Sequence, residues 1–508
     1  MKALTALATR LDNAANPIVV KELRQAVQGR FVSGLLFFFL IVQLLTLGSF
    51  VLFSEHVTTN FESGRDAFNF LLGILLGTCI FFLPAYVGLR LAAERSGSNP
   101  DLLFVSTLTP RQIIMGKSVA SLILVLLIYS TCMPFMAFTY LLRGIDLPSI
   151  FILLAMCFLA IAVGLHLAIF AACIPCGRGS RFLNALLTFG ALVALFSSTL
   201  GAATGMIQSG VGSWINSTEF WAGAVSLVVL AAGAVGLLVI LSLAMIMPPS
   251  ANRIMPLRIY LTAVWLIVAV LAWYWAGQTG DVEFLESWLV GSVILSGAGV
   301  LGSVSERDSH GPRLARSIPR NPLLRTGSFL FFTGAASGIL WALLVAIVSF
   351  LPFWAFTGCL PATVRRPPDP DLLFGAFVFS CYCFAYALTA SVIKRAFLRD
   401  SVLVPYASTI ALLLVVGGSI LPVLIGYFIN YQSWYGHDFF SYWLLGNPFA
   451  VLFSKPEYIR DAAVFAGGWA IVALAVNVPW LLGQVTAFRP AVPLPPAKPP
   501  EIVTPAHA

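Results

Sequence analysis

The chain has 508 residues, 59% of them hydrophobic and only 10% charged, with 29 basic and 21 acidic side chains and a net charge of +8. A soluble globular chain carries charge on about a quarter of its residues. Composition therefore excludes both a conventional soluble fold and disorder as the main content.

Residues 1–30 form a basic N-terminal segment carrying Lys2, Arg10, Lys21, Arg24 and Arg30. The apolar run after it is too long for a signal peptide and lacks a small-residue cleavage site. Within the segment, 16–30 has the marks of a separate short helix. Asn16 suits the N-cap and Pro17 the first helical position. Val19, Leu23, Ala26 and Val27 recur at helical spacing, with Lys21, Glu22, Arg24, Gln25 and Gln28 on the other side. Such a helix is predicted to lie flat in the inner leaflet. The alternative is that it extends the first span, and Gly29 favours a bend instead.

Twelve apolar stretches follow, at 31–53, 67–89, 118–142, 149–175, 182–207, 220–247, 259–276, 284–304, 328–357, 373–393, 402–427 and 462–487. Each is long enough for a hydrocarbon core of about 30 Å. The charges fall between them. With the N-terminus inside, 23 of the 29 basic residues are cytoplasmic. The six outside are Arg65, Arg143, Arg365, Arg366, Lys455 and Arg460. This positive-inside bias predicts an all-α, polytopic inner-membrane bundle with both termini cytoplasmic. The basic excess reflects that topology and anionic headgroups, not nucleic acid.

The loop at 90–117 carries two helix starts. Ser98 or Asn99 caps, Pro100 begins and Asp101 complements a short helix to about Ser106; Thr109-Pro110 repeats the signal. Leu102, Leu103, Phe104 and Val105 would hang below the membrane. They either dock to a partner or fold back onto the bundle. Gly116-Lys117-Ser118 looks like the end of a nucleotide-binding loop, but Arg111 stands where its first glycine is required. Cys173-Ile-Pro-Cys176 has redox spacing without a βαβ context and reads as packing. His166 reads as a buried imidazole bonded to a neighbouring helix. Gln43 and Asn184 are candidates to join helices, and Pro84, Pro134, Pro405 and Pro422 to kink them.

The chain is divided into the N-terminal 1–30, a six-span core 31–250, a second six-span region 251–488 and a Pro-rich tail 489–508. Asn321-Pro322 echoes Asn16-Pro17 and hints at an internal repeat. The segment 428–461, with Trp434, Tyr435, Phe439, Phe440, Tyr442 and Trp443, is predicted as an outer-surface or re-entrant helical hairpin.

Two inner segments together resemble ABC transporter permeases of the ABC-2 exporter class. Asn16-Pro17 followed by Lys21-Glu22-Leu23-Arg24 is similar to that family's N-P-x-x-x-K-E-L-R start. Glu94-Arg95, Asp101-Leu102-Leu103, Thr107, Thr109-Pro110, Ile113 and Gly116-Lys117 resemble its loop after the second span. Asn99-Pro100 and Arg111 depart from the common pattern. The resemblance implies an elbow helix at Asn16, Pro17, Lys21, Glu22 and Arg24. It also implies a coupling loop at Glu94, Arg95, Asp101, Leu102, Leu103, Phe104, Thr107, Pro110 and Lys117, which docks on a separate ATP-binding subunit. The permease would do no chemistry and need no cofactor or metal. Its partners would be that subunit and the lipid bilayer, with a second permease copy or paralogue left open. The alternatives are a secondary transporter driven by an ion gradient, against which the lack of intramembrane carboxylates argues, and a membrane scaffold with a degenerate permease half.

Overall fold

The computed structural model describes residues 17–53, 63–96, 109–142, 144–175, 177–247, 251–308, 311–354, 367–397, 407–429, 444–450 and 456–490. Among them there is no strand, and twelve helices are long and apolar enough to cross a membrane. The protein is an all-α polytopic membrane bundle. Its lateral surface is apolar: Phe37, Phe38, Leu52 and Leu183 are largely exposed, while Gln43 and Asn477 are fully buried. Lipid is the solvent that makes this arrangement favourable, because apolar side chains lose nothing by facing hydrocarbon and polar ones need partners there. The chain divides into two compact units, Met1–Met247 and Pro248–Ala508.

The first unit opens with α1 (Pro17–Gln28), which ends at Gly29, and α2 (Arg30–Phe53). The break is local: a Cβ on Gly29 would meet the Gln25 carbonyl oxygen at 2.9 Å. Next, α3 runs as Ser63–Gly77, a π-helical turn at Thr78–Phe82, and Leu83–Ser96. Pro84 accounts for the turn. It has no N–H for the carbonyl four residues back, so the ladder slips by one and the Leu83 N–H bonds the Thr78 oxygen. Then come α4 (Pro110–Leu141), α5 (Leu147–Cys173), α6 (Arg178–Ser209) and α7 (Thr218–Ile246). Thr109 caps α4 through a reciprocal bond with Gln112.

In this unit α5 packs on α3, α4, α6 and α7, and α3 also packs on α2, α4 and α6. Gly88 of α3 lets α5 approach closely, since a Cβ there would sit 3.4 Å from the Ala168 carbonyl oxygen. Polar glue appears where anticipated. Gln43 donates to the Leu71 carbonyl at 3.4 Å, and Asn184 to the Ala171 carbonyl at 2.9 Å. One expectation is corrected: His166 bonds through Nδ1 to Ala162, 2.7 Å away in its own helix. A carbonyl one turn back is the nearest acceptor for an imidazole on a crowded apolar face.

The second unit contains α8 (Ile254–Thr279), α9 (Glu283–Ser303), the short α10 (Pro312–Arg316) and α11 (Pro322–Phe329), then α12 (Ala335–Trp354), α13 (Pro370–Phe397), α14 (Ala407–Ile429) and α15 (Pro456–Ala487). The ninth span was predicted from 328, but the helix starts at Ala335, after turns at 330–334. Asn321-Pro322 does start a helix, capped by Asn321. It opens α11 in the link between the unit's second and third spans, not a helix ahead of its first span, so the echo of Asn16-Pro17 is not one of position.

Between α14 and α15, residues 444–450 form non-helical turns inside the unit. Tyr386 donates to the Gly446 carbonyl at 2.6 Å, Tyr458 to Leu444 at 2.6 Å, and Tyr382 to Leu445. Gly446 lies against Gly418, a mid-helix residue of α14. These residues thus reach the middle of α13 and α14 as turns, where a helical hairpin was expected; most of the link lies outside the described residues. Tyrosine hydroxyls supply the hydrogen bonds that an irregular backbone cannot obtain from lipid. The aromatics at 434–443 lie outside the described residues, as does Pro405.

Candidate functional site

The first unit gathers charge at one end, around the two stems of the 97–108 link. Lys117 is the eighth residue of α4, in its third turn, and is buried. Burying a cation carries a desolvation cost. Two carboxylates offset it. Lys117 Nζ lies 2.7 Å from Glu22 Oε1 on α1 and 2.9 Å from Glu94 Oε2 on α3. The same ammonium therefore ties the amphipathic helix, the end of the second span and the start of the third.

Arg90, one turn before Glu94, completes the cluster. Its Nε is 3.6 Å from Glu22 Oε2, its Nη1 donates to the Tyr86 hydroxyl at 2.7 Å, and its Nη2 donates to Gln25. Tyr86 stacks on Phe31 with ring centroids 5.2 Å apart, so α2 joins the assembly. Lys21 approaches Glu94 at 3.9 Å from a more exposed position. A crevice beside the cluster is lined by Glu22, Tyr86, Arg90, Lys117 and Ser121.

Of the residues singled out from sequence, the structure brings Lys21, Glu22, Glu94 and Lys117 together. Pro17 begins α1 and Pro110 begins α4. Arg24 is exposed, with no shared contact to this cluster among those described. Asn16, Asp101, Leu102, Leu103, Phe104 and Thr107 lie outside the described residues, as does the Arg95 side chain. The buried face of α1 differs from the expected one. Ile18 and Ala26 are buried and Val27 is 64% exposed, because packing against α4 turns the Ile18–Glu22–Ala26 row inward.

Sequence reasoning missed Arg90, Tyr86 and a second charge cluster. In the second unit, Arg258 lies within the first turns of α8 and is buried. Its Nη2 meets Glu306 Oε1 at 2.6 Å, and its Nη1 donates to the Phe332 carbonyl at 2.6 Å and to Ser337 at 2.9 Å. Glu306 also accepts from the Gly334 N–H at 2.8 Å, and Asp308 from Ala335 at 3.0 Å, so two acids cap the start of α12. Lys394 donates to the carbonyls of Val304 and Glu306. Burial pushes the Glu306 carboxyl up from its ordinary range, against the pull of Arg258 and the Gly334 N–H. The available signal was a charge one residue beyond a predicted span, at Arg258 before 259–276 and Lys394 after 373–393.

Gly116-Lys117-Ser118 is helical, with its lysine committed to carboxylates. Among the described residues no group of three His, Cys, Asp or Glu side chains could hold a metal. No family model, curated protein or solved structure matches the chain.

Proposed function

We propose that the protein is the transmembrane permease subunit of an ATP-driven ABC exporter of the ABC-2 type, in the inner membrane with both termini cytoplasmic. ATP is hydrolysed by a separate subunit, and this chain performs no catalysis of its own. The observation that carries the reading is the Lys117 clamp. It binds both stems of the 97–108 link to α1, so a force applied to that link moves the amphipathic helix and the second and third spans together. A transmission element needs that stiffness. The motif resemblance supplies the partner: Leu102, Leu103 and Phe104 dock in a groove of the ATP-binding subunit, and α1 serves as the elbow helix.

The test is reconstitution in liposomes with and without a co-expressed ATPase, under imposed proton and sodium gradients. Transport that requires the ATPase and ATP supports the reading. Gradient-driven transport by the single chain replaces it with a secondary transporter. Leu103→Asp and Phe104→Asp are expected to abolish coupled transport while leaving membrane insertion intact, because a charge forced into an apolar groove costs on the order of several kcal/mol.

A further inference from the structure

Two independent observations relate the second unit to the first. The first is the pattern of helix packing. Matching α8, α9, α12, α13, α14 and α15 in order with α2 to α7, every close pairing of spans within the second unit has its counterpart within the first, which adds α2 on α4 and α4 on α5. In each unit the fourth span is the hub, packed on the second, fifth and sixth, and a glycine of the second span (Gly88 or Gly297) faces it.

The second observation lies in the sequence at the matched place. Glu94-Arg95, Pro100, Leu102 and Pro110 follow the second span of the first unit. Glu306-Arg307, Pro312, Leu314 and Pro322 follow the second span of the second unit with identical spacing and no gap. The leading glutamate in each unit forms an ion pair with a buried cation, though from different spans: Lys117 of the third span at 2.9 Å, or Arg258 of the first at 2.6 Å.

We infer that the segment Gly311–Pro322 is a second docking loop, and that one chain engages two ATP-binding subunits. This rests on the function proposed above for the first loop. The register match places Arg313, Ala315 and Arg316 where the first loop has Asp101, Leu103 and Phe104. The second loop is seated from below its arginines: Leu314, Ala315 and Ile318 pack with Phe329, Phe332, Leu481 and Phe488, and Arg313, Arg316 and Arg320 are exposed. Its face is basic where the first loop is apolar. The partner it fits is an ATP-binding subunit with an acidic rim around its groove, and the two halves of the transporter are therefore not equivalent.

The experiment places the photoreactive residue p-benzoylphenylalanine at position 104 or 316 of the full chain in its native membrane and identifies the adducts by mass spectrometry. The inference expects an ATP-binding subunit at both positions and, in native mass spectra of the solubilised complex, one copy of this chain with two such subunits. Arg313→Glu with Arg320→Glu is expected to lower the 316 adduct about tenfold, equivalent to about 1.4 kcal/mol, and to leave the 104 adduct unchanged. An ATP-binding adduct at 104 with only lipid or nothing at 316 overturns the inference and leaves the proposed function standing. So does a complex with two copies of this chain. No ATP-binding adduct at either position overturns both.

Discussion

Lys117 illustrates how a single side chain is fixed by what surrounds it. Lys117→Met removes the shared cation and leaves Glu22 and Glu94 facing each other, partly buried, with only the more distant Arg90 at 3.6 Å and Lys21 at 3.9 Å as counter-charges. Breaking a buried pair in this way costs about 3–5 kcal/mol, whereas removing all the charges together is close to neutral. The single variant is therefore expected to unfold at a clearly lower temperature in detergent than the parent. The triple variant Lys117→Met, Glu22→Gln, Glu94→Gln should recover most of that loss and still fail to couple ATP hydrolysis to transport. A triple variant as unstable as the single one would show that the clamp is not the source of the stability. From sequence, Lys21, Glu22, Glu94 and Lys117 were legible through their motifs. Their convergence was not, because Glu22 and Lys117 are far apart in the chain and no local pattern reports such a contact. Arg90 was passed over because it stands among apolar residues at a span end, where a lone arginine ordinarily reaches for headgroups.

At the level of elements, the π-turn in α3 carries one residue more than a regular helix needs. Deleting Phe82 while changing Pro84→Ala should close the ladder and keep both flanking segments in phase, at a cost on the order of 1–2 kcal/mol. Deleting Leu72, which is fully buried, should instead rotate the rest of α3 by about 100° and abolish folding. Thermal unfolding of the two deletions separates these outcomes. The re-entrant segment gives a second case. Tyr386→Phe leaves the Gly446 carbonyl without its donor, costing about 1–3 kcal/mol, and faster amide exchange should appear at 444–450 before anything changes in the first unit. The spans themselves were readable as runs of apolar residues, because in a bilayer length and hydropathy alone decide what crosses. The late start of α12 was not readable, since 328–334 is as apolar as the helix it precedes. What sets the boundary is the pair of acids at 306 and 308 bonding the N–H groups of Gly334 and Ala335.

For the whole molecule, the sign of the charge between spans predicts which side each link faces. Cysteines introduced at Asp281, between α8 and α9, should react with an impermeant maleimide only from outside, and at Ser317 only from the cytoplasm. Reaction of position 317 from outside would overturn the topology for the entire second unit. The division into two units falls where the sequence becomes rich in proline, at 248–256. From sequence, Asn321-Pro322 pairs with Asn16-Pro17, whereas the inferred repeat pairs Pro322 with Pro110: the two segments share glutamate, arginine, proline and leucine at fixed spacing but almost nothing in between, and only the packing of the helices tells which to compare.

The three tyrosines that hold residues 444–446 impose an order on how the protein is made. Tyr382 and Tyr386 belong to a span synthesised before that segment, and Tyr458 to the last span synthesised after it. A ribosome that has not yet delivered α15 leaves the Leu444 carbonyl without its tyrosine partner in an environment with no water to replace it. The second unit can therefore close only when translation of its spans is finished.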